Sequence, residues 1–568
     1  MTSISFNPGF ALLLGAALVL VTPAQWRSWI ALAASLAALA LAFTPSFGEH
    51  GAFAQIGLEV APLRLDALSQ TFGMIFALVT IMLALHGGGA RSREEEAALL
   101  VHAGGALGAV YAGDFVAFVA LAELSALAAA ALLLSRPDGA AKAAGQRLLG
   151  WQALSSVLFL AGAAFAIAQQ GSADFERLSA QTPEGFLILV ALGVKAGFPI
   201  AHVWLKDAAP RGSAAGSAAL LVFTAMLGAY GLARGFAGEP ALVWIGVAMS
   251  LSPALHAMAE DDLRRALAYG MTAQMGFIVA CIGLGSPLAA AAAAAHAMAT
   301  SLAFVLLAMA LGAVLERTGT TRASRLGGLA ASMPVTAGLA CVAALSIAGA
   351  PFTAGFASLS LVFDAFARDD ATLIYFALVA AAGAAVAHTA VKIPYAAFFA
   401  PTRDKPKPPS TFGGPHLAML AATVLIVGIG VAPGWLYAFL PPDPVTFSPY
   451  DWGRLVVHVQ LATFAGIAFL AALVGKLYAP DDTPSDIADI DALIHGPLWR
   501  LMQGLGATTE RLHLFWRRLE AAGAARLGRW ADLLLAASDR PALRIATDAV
   551  WLLTIPAALL VLIFVFAR

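Results

Sequence analysis

The sequence predicts an all-α polytopic membrane protein of about sixteen transmembrane helices, and three observations predict it. Hydrophobic residues make up 60% of the 568 residues and charged residues only 12%, about half the usual globular share. A mean hydropathy of +0.82 leaves too little polar surface to cover a soluble fold. Apolar runs recur along the whole chain, broken by short polar or Gly/Pro stretches, at lengths near the ~20 residues that cross a bilayer.

The runs fall near 9–22, 27–44, 66–87, 95–112, 115–135, 146–169, 185–207, 214–234, 241–258 and 265–284, then 289–314, 334–367, 372–399, 415–440, 454–478 and 547–567. The first reads as a span and not a cleaved signal, because no basic segment precedes it and a second run follows at once. Residues 45–65 are too polar to span, and Gln55–Arg64 alternates like a short hairpin strand. The expected organisation is residues 1–94 for the first three helices and hairpin, then five-helix repeats over 95–235 and 241–400. Helices fourteen and fifteen occupy 415–478, an amphipathic lateral helix 480–546, and a final span 547–568. Five helices is an odd number, so the repeats are expected to be inverted in the membrane.

Loop charges support that count. With the N-terminus outside, the cytoplasmic loops carry sixteen Lys and Arg residues and the opposite loops five, the bias of an integral protein of a bacterial-type inner membrane. The segment 480–546 differs from the rest. Trp499, Met502, Leu512, Trp516 and Trp530 recur at helical spacing, with Arg500, Arg511, Arg517, Arg518 and Arg526 between them. Such a helix lies in the membrane interface or braces neighbouring proteins, and the sequence leaves both open.

Several chemistries are excluded. Cys281 and Cys341 sit far apart in apolar runs and form no metal or iron–sulfur pattern. No GxxxxGK[ST] loop and no strand-borne GxGxxG is present. A net charge of −1 gives a nucleic-acid partner no support. The expectation is a protein without cofactor or metal that conducts or holds something.

Ionisable residues inside spans are costly and mark function by default. Glu123 stands alone in the fifth run and Lys195 in the seventh, where Gly193, Gly197 and Pro199 predict a broken helix beside the lysine. Broken helices are tolerated at membrane depth only against protein or a hydrated cavity. A Glu–Lys pair that can make and break contact changes the proton affinity of both groups, which is the minimum part of a proton translocator; a static pair that fixes helix packing is the alternative. A second break is expected at 346–360, where Gly349, Pro351 and Gly355 interrupt an apolar run. His102, His202, His256, His296 and His388 are weaker relay candidates, since a lone buried histidine is more often a packing residue. His388 and Lys392, four residues apart, are expected to share a helix face, unless Lys392 snorkels to the surface. Asp364, near a helix end, is expected to be solvated.

At these residues the chain resembles the antiporter-like subunits shared by respiratory complex I, membrane-bound hydrogenases and Mrp-type sodium/proton antiporters. The resemblance runs over about residues 1–440. It rests on Lys195, Pro199, His202, Trp204, Leu205, Asp207, Ala208 and Pro210 in the seventh helix, on Asp262–Tyr269 with Gln274, Gly276 and Phe277, and on Glu123-Leu124-Ser125. It implies a proton channel in each half, with Glu123 and Lys195 as the switching pair of the first. It also implies an assembly with other hydrophobic subunits in the bilayer, moving protons and sodium. Departures from the family pattern put the second half in doubt: Met226 (or Leu220), Ala292, Thr300 and Leu359 stand where the family has titratable groups, and only His296 remains. The segment around Ala387–Pro394 resembles the D-type Mrp subunit, whereas an amphipathic helix followed by a last span resembles the distal subunit of complex I. Three readings follow: a sodium/proton antiporter subunit, the proton-pumping membrane arm of a redox complex, and a non-conducting scaffold.

Overall fold

The computed structural model describes residues 6–43, 46–51, 53–55, 58–87, 91–401, 413–441 and 447–475. The chain divides into Met1–Ile487 and Ala488–Arg568. The lateral helix and final span expected at 480–546 and 547–568 lie outside the described residues.

The helices are α1 Gly9–Val21, α2 Ala24–Leu41, α3 Ala67–Gly87, α4 Arg93–Val110, α5 Phe115–Leu134, α6 Gly139–Gln170, α7 Pro183–Ala196, α8 Val203–Ala208, α9 Ala214–Gly235 and α10 Pro240–Leu251. They continue with α11 Pro253–Ala259, α12 Leu263–Leu284, α13 Pro287–Thr318, α14 Pro334–Ile347, α15 Ala354–Arg368, α16 Thr372–Phe399, α17 Gly414–Val431, α18 Pro433–Tyr437 and α19 Trp452–Val474. Ten helical segments among the described residues are long and apolar enough to cross a membrane, with shorter apolar helices at α1 and α14. The expected runs at 185–207 and 334–367 are each split in two, so a count of long helices falls below the count of runs. Side-chain caps begin many of them. Ser92, Asp114, Asp138, Thr182, Ser213, Asp262, Thr353 and Asp451 each accept a bond from a free backbone N–H of the first turn.

Between α2 and α3 the hairpin is larger than the alternation of Gln55–Arg64 predicts. Strands β1 Gly48–His50 and β4 Leu63–Leu65 pair antiparallel, as do β2 Phe53–Gln55 and β3 Leu58–Val60. Asp66 follows β4 and accepts two bonds from the Arg234 guanidinium at 2.5 and 3.0 Å, tying the hairpin to α9. Burial pushes the Asp66 carboxyl up, but the Arg234 hydrogen bonds and charge outweigh it and hold it below the ordinary value of about 3.8.

Helices α9, α12 and α13 form the centre, each apolar on all sides and almost wholly enclosed by its neighbours. The run Ala289–Ala295 lets neighbours approach α13 closely, as small residues do in membrane packing. Around this centre the two broken helices have the same backbone signature. In the first, Gly197 has φ +81° and Ile200, after Pro199, has φ +77°. In the second, Gly349 has φ +66° and Phe352, after Pro351, has φ +66°. A left-handed residue that is not glycine costs on the order of 1 kcal/mol or more and clusters at functional segments. Each break is also pressed by a glycine of a neighbouring helix: a Cβ on Gly228 of α9 would strike Lys195 and Ala196, and one on Gly430 of α17 would strike Phe352.

Candidate functional site

Lys195 occupies the last turn of α7, just before the first break, and is 2% exposed. The orphan carbonyls that a helix leaves at its C-terminus are met locally. Phe198 N donates to Gly193 O at 2.9 Å, and the Trp204 indole, brought back by α8, donates to Val194 O at 2.8 Å. The lysine is therefore free to point elsewhere. Its Nζ donates to Gln152 Oε1 on α6 at 3.0 Å and lies 3.7 Å from Glu123 Oε1 on α5. The second distance is an ion pair beyond hydrogen-bond length, and Glu123 Oε1 is buried without a hydrogen-bond partner among the described residues. The pair is thus close but not locked, and Gln152 holds the ammonium in place.

Gln152 is not among the residues that the sequence singles out. A mid-span amide such as Gln152 in α6 is a signal of the same kind as Glu123, but uncharged residues in spans carry less penalty and so less warning. Near the pair, His102 of α4 bonds through Nδ1 to Ser125 of α5, 2.8 Å to Oγ and 3.0 Å to the carbonyl oxygen.

The structure gathers two other candidates around Tyr269 of α12. His256 stacks on its ring at 5.6 Å and His202 lies at 6.3 Å. Lys206 of α8, itself buried, donates to the phenol oxygen at 3.1 Å. Arg264 fastens this junction by donating to the Pro210, Gly212 and Ser213 carbonyls at 2.7, 2.8 and 3.0 Å. Asp207 is held by Arg147 of α6 at 2.5 and 2.8 Å.

In the second half the candidates separate. His296 of α13 reaches Gln274 Oε1 through Nε2 at 2.8 Å and Ser358 Oγ through Nδ1 at 3.1 Å. His388 and Lys392 are both buried and take different hydrogen-bond partners. Residues Val386–Val391 form a π-helical turn, a feature frequent at functional sites. His388 turns to Thr389, and Lys392 donates to the carbonyls of Ala257, Met258 and Glu260 at 2.6, 2.9 and 2.6 Å. Lys392 is buried, closing the C-terminus of α11, and does not snorkel. Asp364 is not simply solvated either: it pairs with Arg368 at 2.7 Å and Arg454 at 2.9 Å. Met226, Thr300 and Leu359 are all buried. Helix-break residues Pro199, Gly197, Pro351 and Gly355 stand where expected, and Gly355 admits no Cβ because Ser346 O lies against it.

The comparisons with known proteins meet this geometry at the broken helices. Residues 112–383 match the family model described as NADH:quinone oxidoreductase/Mrp antiporter, TM. That core is similar to the antiporter-like membrane subunits. Glu123, Lys195 and both breaks lie inside it. A probable K(+)/H(+) antiporter protein of Rhizobium meliloti, its A/B component, is 29% identical over 333 residues, 54% of this chain and 33% of that protein. An NAD(P)H-quinone oxidoreductase chain 4 of Synechococcus elongatus is 30% identical over 335 residues, 55% of this chain and 62% of that one. The antiporter-like chain therefore spans less than two thirds of either relative. Among solved structures, the Mrp complex of a Dietzia species superposes with TM-score 0.68 at 19% identity, covering 83% of this chain and 99% of that one. A chain of the membrane-bound sulfane sulfur reductase, an archaeal respiratory membrane complex, superposes with TM-score 0.70 at 24% identity, covering 97% and 99%. Both likenesses establish the fold.

Proposed function

We infer that this antiporter-like protein translocates protons at Glu123 and Lys195, within a multisubunit membrane complex that exchanges a monovalent cation, sodium in the leading reading, against protons. The observation that carries this is the Lys195 ammonium, buried at a helix break, bonded to Gln152 at 3.0 Å and 3.7 Å from an otherwise unpartnered Glu123 oxygen. Two unit charges at that separation attract by about 4 kcal/mol at an effective permittivity near 20. Opening the pair by a helix movement therefore removes an attraction that favours both charged forms. Gln152 keeps the lysine from drifting while the carboxylate moves, and the break provides a place where the backbone can adjust. The repeats over 95–235 and 241–400 are part of the same proposal, supported by the shared Gly-x-Pro-x signature of the two breaks.

A redox-driven pump is the second reading, favoured by the quinone oxidoreductase relative and the sulfane sulfur reductase likeness. A non-conducting scaffold is the third, favoured by the untitratable Met226, Thr300 and Leu359. One experiment separates them. The complex is purified gently through the full-length chain and reconstituted in vesicles, and internal pH is followed after a sodium pulse and, separately, after addition of an electron donor and acceptor. A pH change driven by sodium supports the antiporter. A change driven only by electron transfer selects the redox pump, and none under either condition selects the scaffold.

A further inference from the structure

The second break is completed by a helix outside the segment 112–383. Helix α19 leaves most of its length exposed, and His458, Ala465 and Phe469 are its buried residues. His458 is 1% exposed. Its Nε2 lies 3.2 Å from Ser360 Oγ of α15, and its ring packs on Phe356 at 4.9 Å and Phe363 at 5.4 Å. Its Nδ1 is buried with no hydrogen-bond partner among the described residues. A Cβ on Gly349 would sit 2.8 Å from that nitrogen and 3.0 Å from Leu359 Cδ1. The unpartnered nitrogen, the left-handed glycine of the break and Leu359 thus meet at one point.

The shared signature of the breaks makes the comparison direct. Counting back two residues from the left-handed glycine gives Lys195 in the first and Ile347 in the second. The second broken helix brings no titratable group of its own to that point; α19 brings one from outside. A purely packing role is a poor account of it, because a buried imidazole with an unmet nitrogen is costly and a phenylalanine would fill the space without that cost. Ser360 can accept from or donate to Nε2, so the contact survives whichever charge the ring carries. One turn along the same interface, Asp364 and Arg454 make the next rung at 2.9 Å, toward the C-terminal end of α15.

We propose that His458 is the proton-binding group of the second half, standing beside Leu359 and doing what that residue does not. The ligand is a proton: an N–H bond forms at Nδ1 as it arrives and breaks as it leaves, with no electron exchanged. The proposal rests on the proton-translocating reading of Glu123 and Lys195.

The test uses vesicles containing the assembled complex with the full-length chain, and a fluorescent pH reporter. His458→Gln keeps a partner for Ser360 but holds no proton, and His458→Phe, which fills the volume, is the second variant. With assembly retained, either is expected to slow translocation at least tenfold, and Leu359→His added to His458→Gln is expected to restore it to within threefold of the unmodified protein. A double variant as slow as His458→Gln overturns the proposal in favour of packing. Unchanged rates in the His458 variants, while Lys195→Ala is inactive, overturn the proposal alone. Unchanged rates in all of them overturn the reading beneath it as well.

Discussion

Glu123→Gln separates a switching pair from a structural one. The substitution keeps the shape of the side chain and removes its charge, while Lys195 retains its 3.0 Å bond to Gln152. The attraction lost across 3.7 Å is about 4 kcal/mol at an effective permittivity near 20. If the pair gates proton transfer, turnover per assembled complex falls by between about tenfold and a thousandfold, since part of the loss is recovered by Gln152 and solvation. A static pair predicts something else. Breaking a buried ion pair destabilises by about 3–5 kcal/mol, so less complex survives extraction, but each surviving complex transports normally. The assay is the rate of pH change in inverted membrane vesicles after a cation pulse, divided by the amount of assembled complex recovered by affinity purification. An unchanged normalised rate alongside reduced recovery would refute the switching argument.

Three further outcomes are expected. Gln152→Leu removes a hydrogen bond to a charged group worth about 1.5–3 kcal/mol, and should slow transport on the order of tenfold; an unchanged rate would show that Lys195 needs no such positioning. Asp66, held below its ordinary value by Arg234, contributes stability above about pH 3.8 that is lost as pH falls through its lower folded value. Thermal unfolding of the detergent-solubilised protein should therefore drop in strong acid, and Asp66→Asn should be less stable at neutral pH with a flatter acid limb; coincident curves would contradict this. Gly430→Val places side-chain atoms against the Phe352 backbone, an overpacking of about 1–3 kcal/mol, so recovery of folded protein should fall while Gly466→Val, with open space around it, should not change it.

Much of this architecture is legible in residue order. Proline and glycine in an apolar run announce a break whatever the surroundings, so Gly197–Pro199 and Gly349–Pro351 are visible, as is the backbone strain they invite. Glu123 and Lys195 are visible as partners because two unlike charges in lipid-depth segments have few other solutions. Other features depend on tertiary placement. Lys392 closes the end of α11 just after a π-helical turn at Val386–Val391, and nothing in AHTAVKIP announces either. His458 and Gln152 are each one of several polar residues in an otherwise apolar run, a pattern shared with ordinary packing positions. Only the fold shows that one reaches the second break and the other the buried lysine. The strands extend over 48–65 because Gly48–His50 pairs with Leu63–Leu65 outside the antiparallel pair β2–β3, a register that alternation in ten residues cannot reveal.

The central claim is that Lys195 carries protons, and the most direct measurement is transport by Lys195→Ala in vesicles with the complex assembled. Cation-driven pH change is expected to disappear while the other subunits still co-purify at normal yield. Transport at the unmodified rate in that variant would contradict it.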